Sequence, residues 1–358
     1  MINRKTQKRG LKGRSINKIK GPLTLKHFKR GTKGCYDRKQ RSQMAVVDTH
    51  LHLRPFGGPP IPFKKMMNIL HKQGVLFAEA EGIGQHLPVN VPCTYYLDCP
   101  NVDALPSIKN DIANAEALLD NKVTDVQLNL SMTFPDLSNP KTILPQMRML
   151  EKEFPGMFRW MGEVNLCKQA LFKNGHKPVP IKTIAKWSPF MAELRKKGFP
   201  ISIHCDLGND ESPFKYLPLM KEVLKLYPDN KIVWMHIGLS KQLSDFSRKE
   251  HIHVLGELLA KYPNLYLDIS WSVLYNQEFK HEDKRVAYVN LINKWPRRFL
   301  PGSDFLAAIK NTEKDYKREL NLTSDILKDV NNEAFRRIAL GQNYFDLSNS
   351  KYVAPHVC

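Results

Sequence analysis

The chain has 358 residues, of which 42% are hydrophobic and 25% charged, and a formal net charge of +20. This composition suits a folded domain of ordinary size and excludes low-complexity and collagen-like chains. No apolar run approaches the roughly 18 residues a bilayer-spanning helix needs, so no membrane span is expected.

The charge is uneven. Residues 1–44 hold 15 Lys and Arg against one acid, Asp37, so +14 of the +20 lies there. With scattered Gly and little periodicity, this stretch reads as a basic, disordered extension ahead of one domain over residues 45–358. Such an arm suits either electrostatic attachment to nucleic acid or anionic lipid, or a solvated, dispensable extension. Elsewhere no basic stripe with interleaved aromatics appears, so nucleic acid is not expected as a partner except through the arm. The six cysteines, Cys35, Cys93, Cys99, Cys167, Cys205 and Cys358, contain no Cys-x-x-Cys pair. That favours a reducing, cytoplasmic setting.

From residue 46 strand and helix patterns alternate. Val46–Leu53 reads as a strand, Phe63–His71 as a helix, and Gly74–Ala80 as a second strand. A helix over Asp111–Asp120 precedes a third strand, Asp125–Leu130. Ile143–Glu153 is helical up to Pro155, and Phe158–Leu166 is a fourth strand. A helix over Pro189–Lys197, closed by Gly198, leads to a fifth strand, Phe199–Cys205. The helix Phe214–Leu226 leads to a sixth, Lys231–Ile237. The helix Val254–Tyr262, stopped by Pro263, leads to a seventh, Leu265–Ser270, and Arg298–Asp304 is the eighth. Ala334–Leu340 is a last helix, with Gly341 as its stop. Eight short, non-alternating apolar runs suit a parallel sheet buried on both faces. Their span of about 260 residues is that of an α/β (β/α)8 TIM barrel. A doubly wound open sheet would carry a Gly-rich phosphate loop after the first strand, and none is present.

The first strand ends in Val47-Asp48-Thr49-His50-Leu51-His52. Side chains two apart on a strand share a face, so His50 and His52 aim two imidazoles at one point. In a parallel barrel the working residues lie at the carboxyl ends of the strands. There the fourth strand offers Glu163, the fifth His204, the sixth His236 and the eighth Asp304. Four imidazoles and two carboxylates at one rim point to a divalent-metal centre.

The order His-x-His, His, His, Asp resembles the amidohydrolase superfamily. The wording Ser202-Ile203-His204, Met235-His236-Ile237-Gly238 and Gly302-Ser303-Asp304-Phe305 is most similar to its amidohydrolase-related branch of metal-dependent hydrolases. The resemblance covers roughly residues 46–343. It implies that His50, His52 and Asp304 hold a first ion, Zn²⁺ before Mn²⁺, and that His204 joins it or holds a second. His236 would ligate a second ion or orient the nucleophilic water, with Asp304 as general base and then general acid. Two-metal members often bridge their ions with a carboxylated lysine on the fourth strand. No lysine ends that strand here, and Lys168 lies past it. Glu163 could bridge instead, and Gly162-Glu163-Val164 is similar to the TatD-type nucleases. The activity implied is hydrolysis of an amide, ester or lactone in a small molecule. Non-oxidative decarboxylation of an aromatic acid is the alternative. A nuclease and a non-catalytic scaffold stand further off, and a homo-oligomer is compatible with the chain.

Other residues have weaker expectations. Asp48 shares the face of the His pair and either orients a ligand or satisfies backbone. Glu79 and Glu81, at the end of the second strand, need a partner if buried. Arg54 either binds an anionic substrate or sits exposed on a loop. Asp206 and Trp271 are candidate pocket walls, and Cys205 is core. His251 and His253 are expected to be solvated, while His86 and His176 sit in loops. The long loops Glu81–Ile108 and Cys167–Trp187 are expected to set specificity.

Overall fold

Short strands that are apolar on both faces cannot leave either face in water, and a closed parallel sheet under a ring of helices solves this. The computed structural model describes residues 17–39, 45–93, 95–123 and 125–358. Its barrel strands are β1 (Val47–His52), β2 (Phe77–Glu81), β3 (Gln127–Met132), β4 (Phe158–Cys167), β5 (Ile201–Cys205), β6 (Ile232–Trp234), β7 (Leu265–Asp268), β8 (Phe299–Leu300) and β9 (Phe305–Leu306). From β1 to β8 each strand pairs in parallel with the next in the chain. β9 pairs in parallel with β1, so β8 and β9 are two halves of one eighth stave. Across the gap between them, Thr49 N donates to Pro301 O at 3.0 Å and Asp304 N to His50 O at 2.9 Å. The expected α/β TIM barrel is therefore present. Its eighth strand is not the continuous run expected over Arg298–Asp304, because the chain breaks pleat at residues 301–304 to turn Asp304 inward.

The surrounding helices bury one stripe each. In Phe63–Lys72, Met66, Ile69 and Leu70 recur at helical spacing and are buried. Ser188–Lys197 ends as expected at Gly198, whose φ of +71° suits a residue without Cβ. Among the described residues no helix is long and apolar enough to cross a membrane.

Ahead of β1 the chain departs from the expected disordered arm. Residues 17–39 form a strap against the barrel. Leu25–Phe28 is a short 3₁₀ turn whose Phe28 is fully buried. Its ring lies 5.1 Å from Phe77 and 5.9 Å from Phe345. Cys35–Tyr36 pairs in parallel with His356–Val357, and Cys35 is disulfide-bonded to Cys358, with Cα atoms 5.3 Å apart. Arg38 lies 4.4 Å over the Phe335 ring. A few apolar anchors dock while the lysines between them stay in water, which composition averaged over the segment hides. Residues 1–16 and 40–44 lie outside the described residues.

Four of the six cysteines are paired. Cys93 pairs with Cys99, and Cys167 and Cys205 are free and buried. The partner of Cys35 stands 323 residues away in sequence, so spacing could not reveal it.

Candidate metal centre

All six residues expected at the site meet at one end of the barrel. β1 delivers His50 and His52, with Nε2 atoms 3.0 Å apart. Asp304 Oδ1 lies 3.1 Å from His52 Nε2 and 3.4 Å from His50 Nε2. Glu163 Oε1 contacts His204 Nδ1 and stands 3.5 Å from His236 Nε2. His236 Nε2 is 3.9 Å from Asp304 Oδ2. Side-chain exposure is 17% for Asp304 but only 4% for Glu163 and 1% for Asp268, so Asp304 is the carboxylate that faces the mouth.

The outer hydrogen bonds decide which ring nitrogen carries a proton. His52 Nδ1 lies 2.8 Å from Gly82 O. A carbonyl only accepts, so Nδ1 donates and Nε2 keeps its lone pair. Ser270 Oγ donates to Asp268 Oδ2 at 2.5 Å. It therefore accepts from His50 Nδ1 at 2.9 Å and His236 Nδ1 at 3.2 Å. Three imidazoles thus turn bare Nε2 atoms inward. Two such lone pairs 3.0 Å apart repel unless a cation lies between them. A tetrahedral zinc with bonds of about 2.0–2.1 Å holds its donor atoms roughly 3.3 Å apart, which matches the 3.0–3.4 Å edges of His50, His52 and Asp304. Buried Glu81 adds an orphaned oxygen, Oε1, beside this group. The residues present fit a divalent ion. Three sets of donors lie within its reach: His50, His52 and Glu81; His50, His236 and Asp304; and Glu163, His204 and His236.

The electrostatics follow from crowding. Burial raises the Glu81 carboxyl to about 8, aided by the charges of Glu163 and Asp268. Burial also works against ionised Asp304, yet positive charge among His50, His52 and His236, carried by protons while no cation is bound, holds it below the usual carboxylate range. Glu163 likewise stays well below that range despite burial, because Lys168 and His204 face it.

Three residues at the centre were not expected there. Asp268, at the end of β7, is buried and braces His50 and His236 at 3.6 and 3.4 Å. An acid closing the strand between those of His236 and Asp304 was a legible signal. Ser270 serves the same two rings. Lys168, read as lying beyond the fourth strand, folds back to place Nζ 2.7 Å from Glu163 Oε2.

The remaining expectations separate. Asp206 holds His204 Nε2 at 2.8 Å and so orients a donor of the site. The Trp271 ring stands 4.9 Å from His236 and forms part of the wall. Cys205 is core as expected. Asp48 accepts from Ser303 N at 2.9 Å and Tyr316 Oη at 2.9 Å, bracing the turn that carries Asp304. Glu79 is buried lower in the barrel. Arg54 does neither thing expected of it: half-buried, it donates to Asn114 Oδ1 and Ala113 O. His251 is not solvated. It is buried within the helix Arg248–Lys261 and lies 2.9 Å from Ile237 O. His253 is solvated, and His86 bonds locally to Leu87 O. His176 accepts from Lys168 N at 3.1 Å and is pushed down to about 4, mainly by burial. Gln85, Asn165 and His176 also line a cavity of about 480 Å³ between the loops after β2, β3 and β4.

Solved structures resemble this fold. Dihydroorotase from Campylobacter jejuni is 16% identical, with 86% of this chain and 84% of that one covered and a TM-score of 0.51. An amidohydrolase from Burkholderia multivorans with bound zinc is 12% identical, covering 86% and 99%, at a TM-score of 0.53. A probable 2-pyrone-4,6-dicarboxylic acid hydrolase from Acinetobacter baumannii, with citric acid bound, is 14% identical, covering 86% and 100%, at 0.51. At such identities the likeness is one of fold. No curated protein sequence matches the chain. A family model described as amidohydrolase matches residues 127–334, more than half of the chain. That match spans Glu163, His204, His236 and Asp304, and with it the chain belongs to the amidohydrolase family of metal-dependent hydrolases.

Proposed function

We propose that the chain hydrolyses an amide, ester or lactone bond in a small molecule. His50, His52 and Asp304 would hold a divalent cation, and His236, His204 and Glu163 offer a second set of donors. The facing Nε2 lone pairs of His50 and His52 carry this reading. Nitrogen and oxygen donors of this kind favour zinc, with Mn²⁺ as the next choice. The Burkholderia amidohydrolase of the same fold holds zinc.

A divalent ion supplies Lewis acidity, acidifying water and polarising a carbonyl. The protein's own part is proton movement and positioning. Asp304, the least buried of these acids, accepts the proton of the attacking water at its carboxylate. It then returns that proton to the leaving group. His236 is held at Nδ1 by Ser270 and directs Nε2 toward Glu163 and Asp304, where it fixes the direction of attack. The cavity beside Asn165 has a size suited to a small molecule.

Metal analysis of the purified protein, with and without His50→Ala, tests this. Stoichiometric metal in the wild type, lost in the variant, is expected. Turnover of p-nitrophenyl acetate or of a lactone panel should fall with it and return on adding Zn²⁺. Wild-type protein without metal would overturn the proposal, and release of CO₂ from an aromatic acid would reassign the reaction to decarboxylation.

A further inference from the structure

We infer that the centre accommodates one divalent ion and not two, because the ammonium of Lys168 occupies the second cation position. This rests on reading the cluster as a metal centre. The second donor set, Glu163, His204 and His236, already holds a positive charge. Lys168 Nζ lies 2.7 Å from Glu163 Oε2, and the two side chains are 13% and 4% exposed. The other carboxylate oxygen, Oε1, is engaged by His204 Nδ1. Both Glu163 oxygens are thus already paired, one with an ammonium and one with an imidazole. His204 is closed from its other edge as well, since Nε2 meets Asp206 Oδ1 at 2.8 Å. Both of its nitrogens meet carboxylate oxygens directly, whereas the Nδ1 atoms of His50 and His236 bond to Ser270 Oγ and that of His52 to Gly82 O.

The lysine is held in place by the backbone around it. Lys168 N donates to His176 Nε2 at 3.1 Å, and Gln169 N donates to Asp206 Oδ2 at 2.7 Å. These two bonds pin the turn after β4, so the side chain is directed back into the barrel. A second ion on Glu163 would strip a buried ammonium of its partner and set two like charges side by side, both unfavourable in a dry site. The first set differs. Among the described residues no lysine or arginine forms an ion pair with Asp304, and its partners are the imidazoles of His50, His52 and His236.

The experiment counts ions. Wild type, Lys168→Met and Lys168→Arg are stripped, reloaded with excess Mn²⁺ or Zn²⁺, and desalted. Metal per chain is then measured by mass spectrometry, and Mn²⁺ pairing by electron paramagnetic resonance. One ion is expected in the wild type and in Lys168→Arg. Lys168→Met should take up two, with the spin-coupled signal of a close pair. Two ions in the wild type would overturn the inference while leaving the metal centre standing. So would a carbamate on Lys168 in the intact mass, or a single ion in folded Lys168→Met. No ion in any of the three would refute both the inference and the metal reading beneath it.

Discussion

Asp268 offers a strict test of how the centre is oriented. Its Oδ2 accepts from Ser270 Oγ at 2.5 Å and His236 N at 3.1 Å, and its Oδ1 from Ser270 N at 3.1 Å. Through Ser270 and directly, one carboxylate fixes the Nδ1 protons of two imidazoles. Asp268→Asn preserves shape but brings an NH₂ group. In either orientation that group faces a donor: Ser270 N–H on one side, or Ser270 O–H and His236 N–H on the other. Removing one outer partner of a ligating histidine typically weakens metal binding 10–100-fold. Two rings depend on Asp268, so the expected loss lies at the upper end, about 100-fold, or about 2.7 kcal/mol. Competition with a chromophoric zinc chelator measures it, and circular dichroism confirms the fold. Ser270→Ala, which leaves the carboxylate in place, should cost about 10-fold or less. A folded Asp268→Asn protein that binds zinc as tightly as wild type would refute the idea that this acid sets the tautomers.

Two further outcomes concern stability. Phe28→Ala should cost about 3–5 kcal/mol, because the ring is fully buried between Phe77 and Phe345. Chemical denaturation reads this directly, and a loss of under about 1 kcal/mol would mean the strap is not part of the cooperative unit. His251 is held down to about 4 by burial, against 6.5 in the unfolded chain. The unfolded state then binds the extra proton between those values, so stability is full above pH 6.5 and falls as pH drops toward 4. The contribution is on the order of 3 kcal/mol. Unfolding free energies of wild type and His251→Gln should converge as pH falls through that window. Parallel curves for the two proteins would reject it.

Much of the centre could be read from local order. A strand repeats every two residues, so His50 and His52 had to share a face, and a parallel barrel places strand ends at one rim. His204, His236 and Glu163 followed from that rule. Tertiary structure decided what local periodicity does not encode. Asp268 and Ser270 act on rings from other strands, and Lys168 enters only because Asp206 and His176 pin its turn. Asp304 reaches the cluster because the eighth stave breaks and Asp48 braces the break through Ser303. The strap was hidden for a related reason: three or four apolar anchors dispersed among lysines have no period, and their burial depends on surfaces such as Phe345 and Val357 that lie more than 300 residues away in the chain. The sequence by itself determined the barrel and which side chains meet at its rim. Only long-range packing determined which protons those side chains carry and which cation already sits among them.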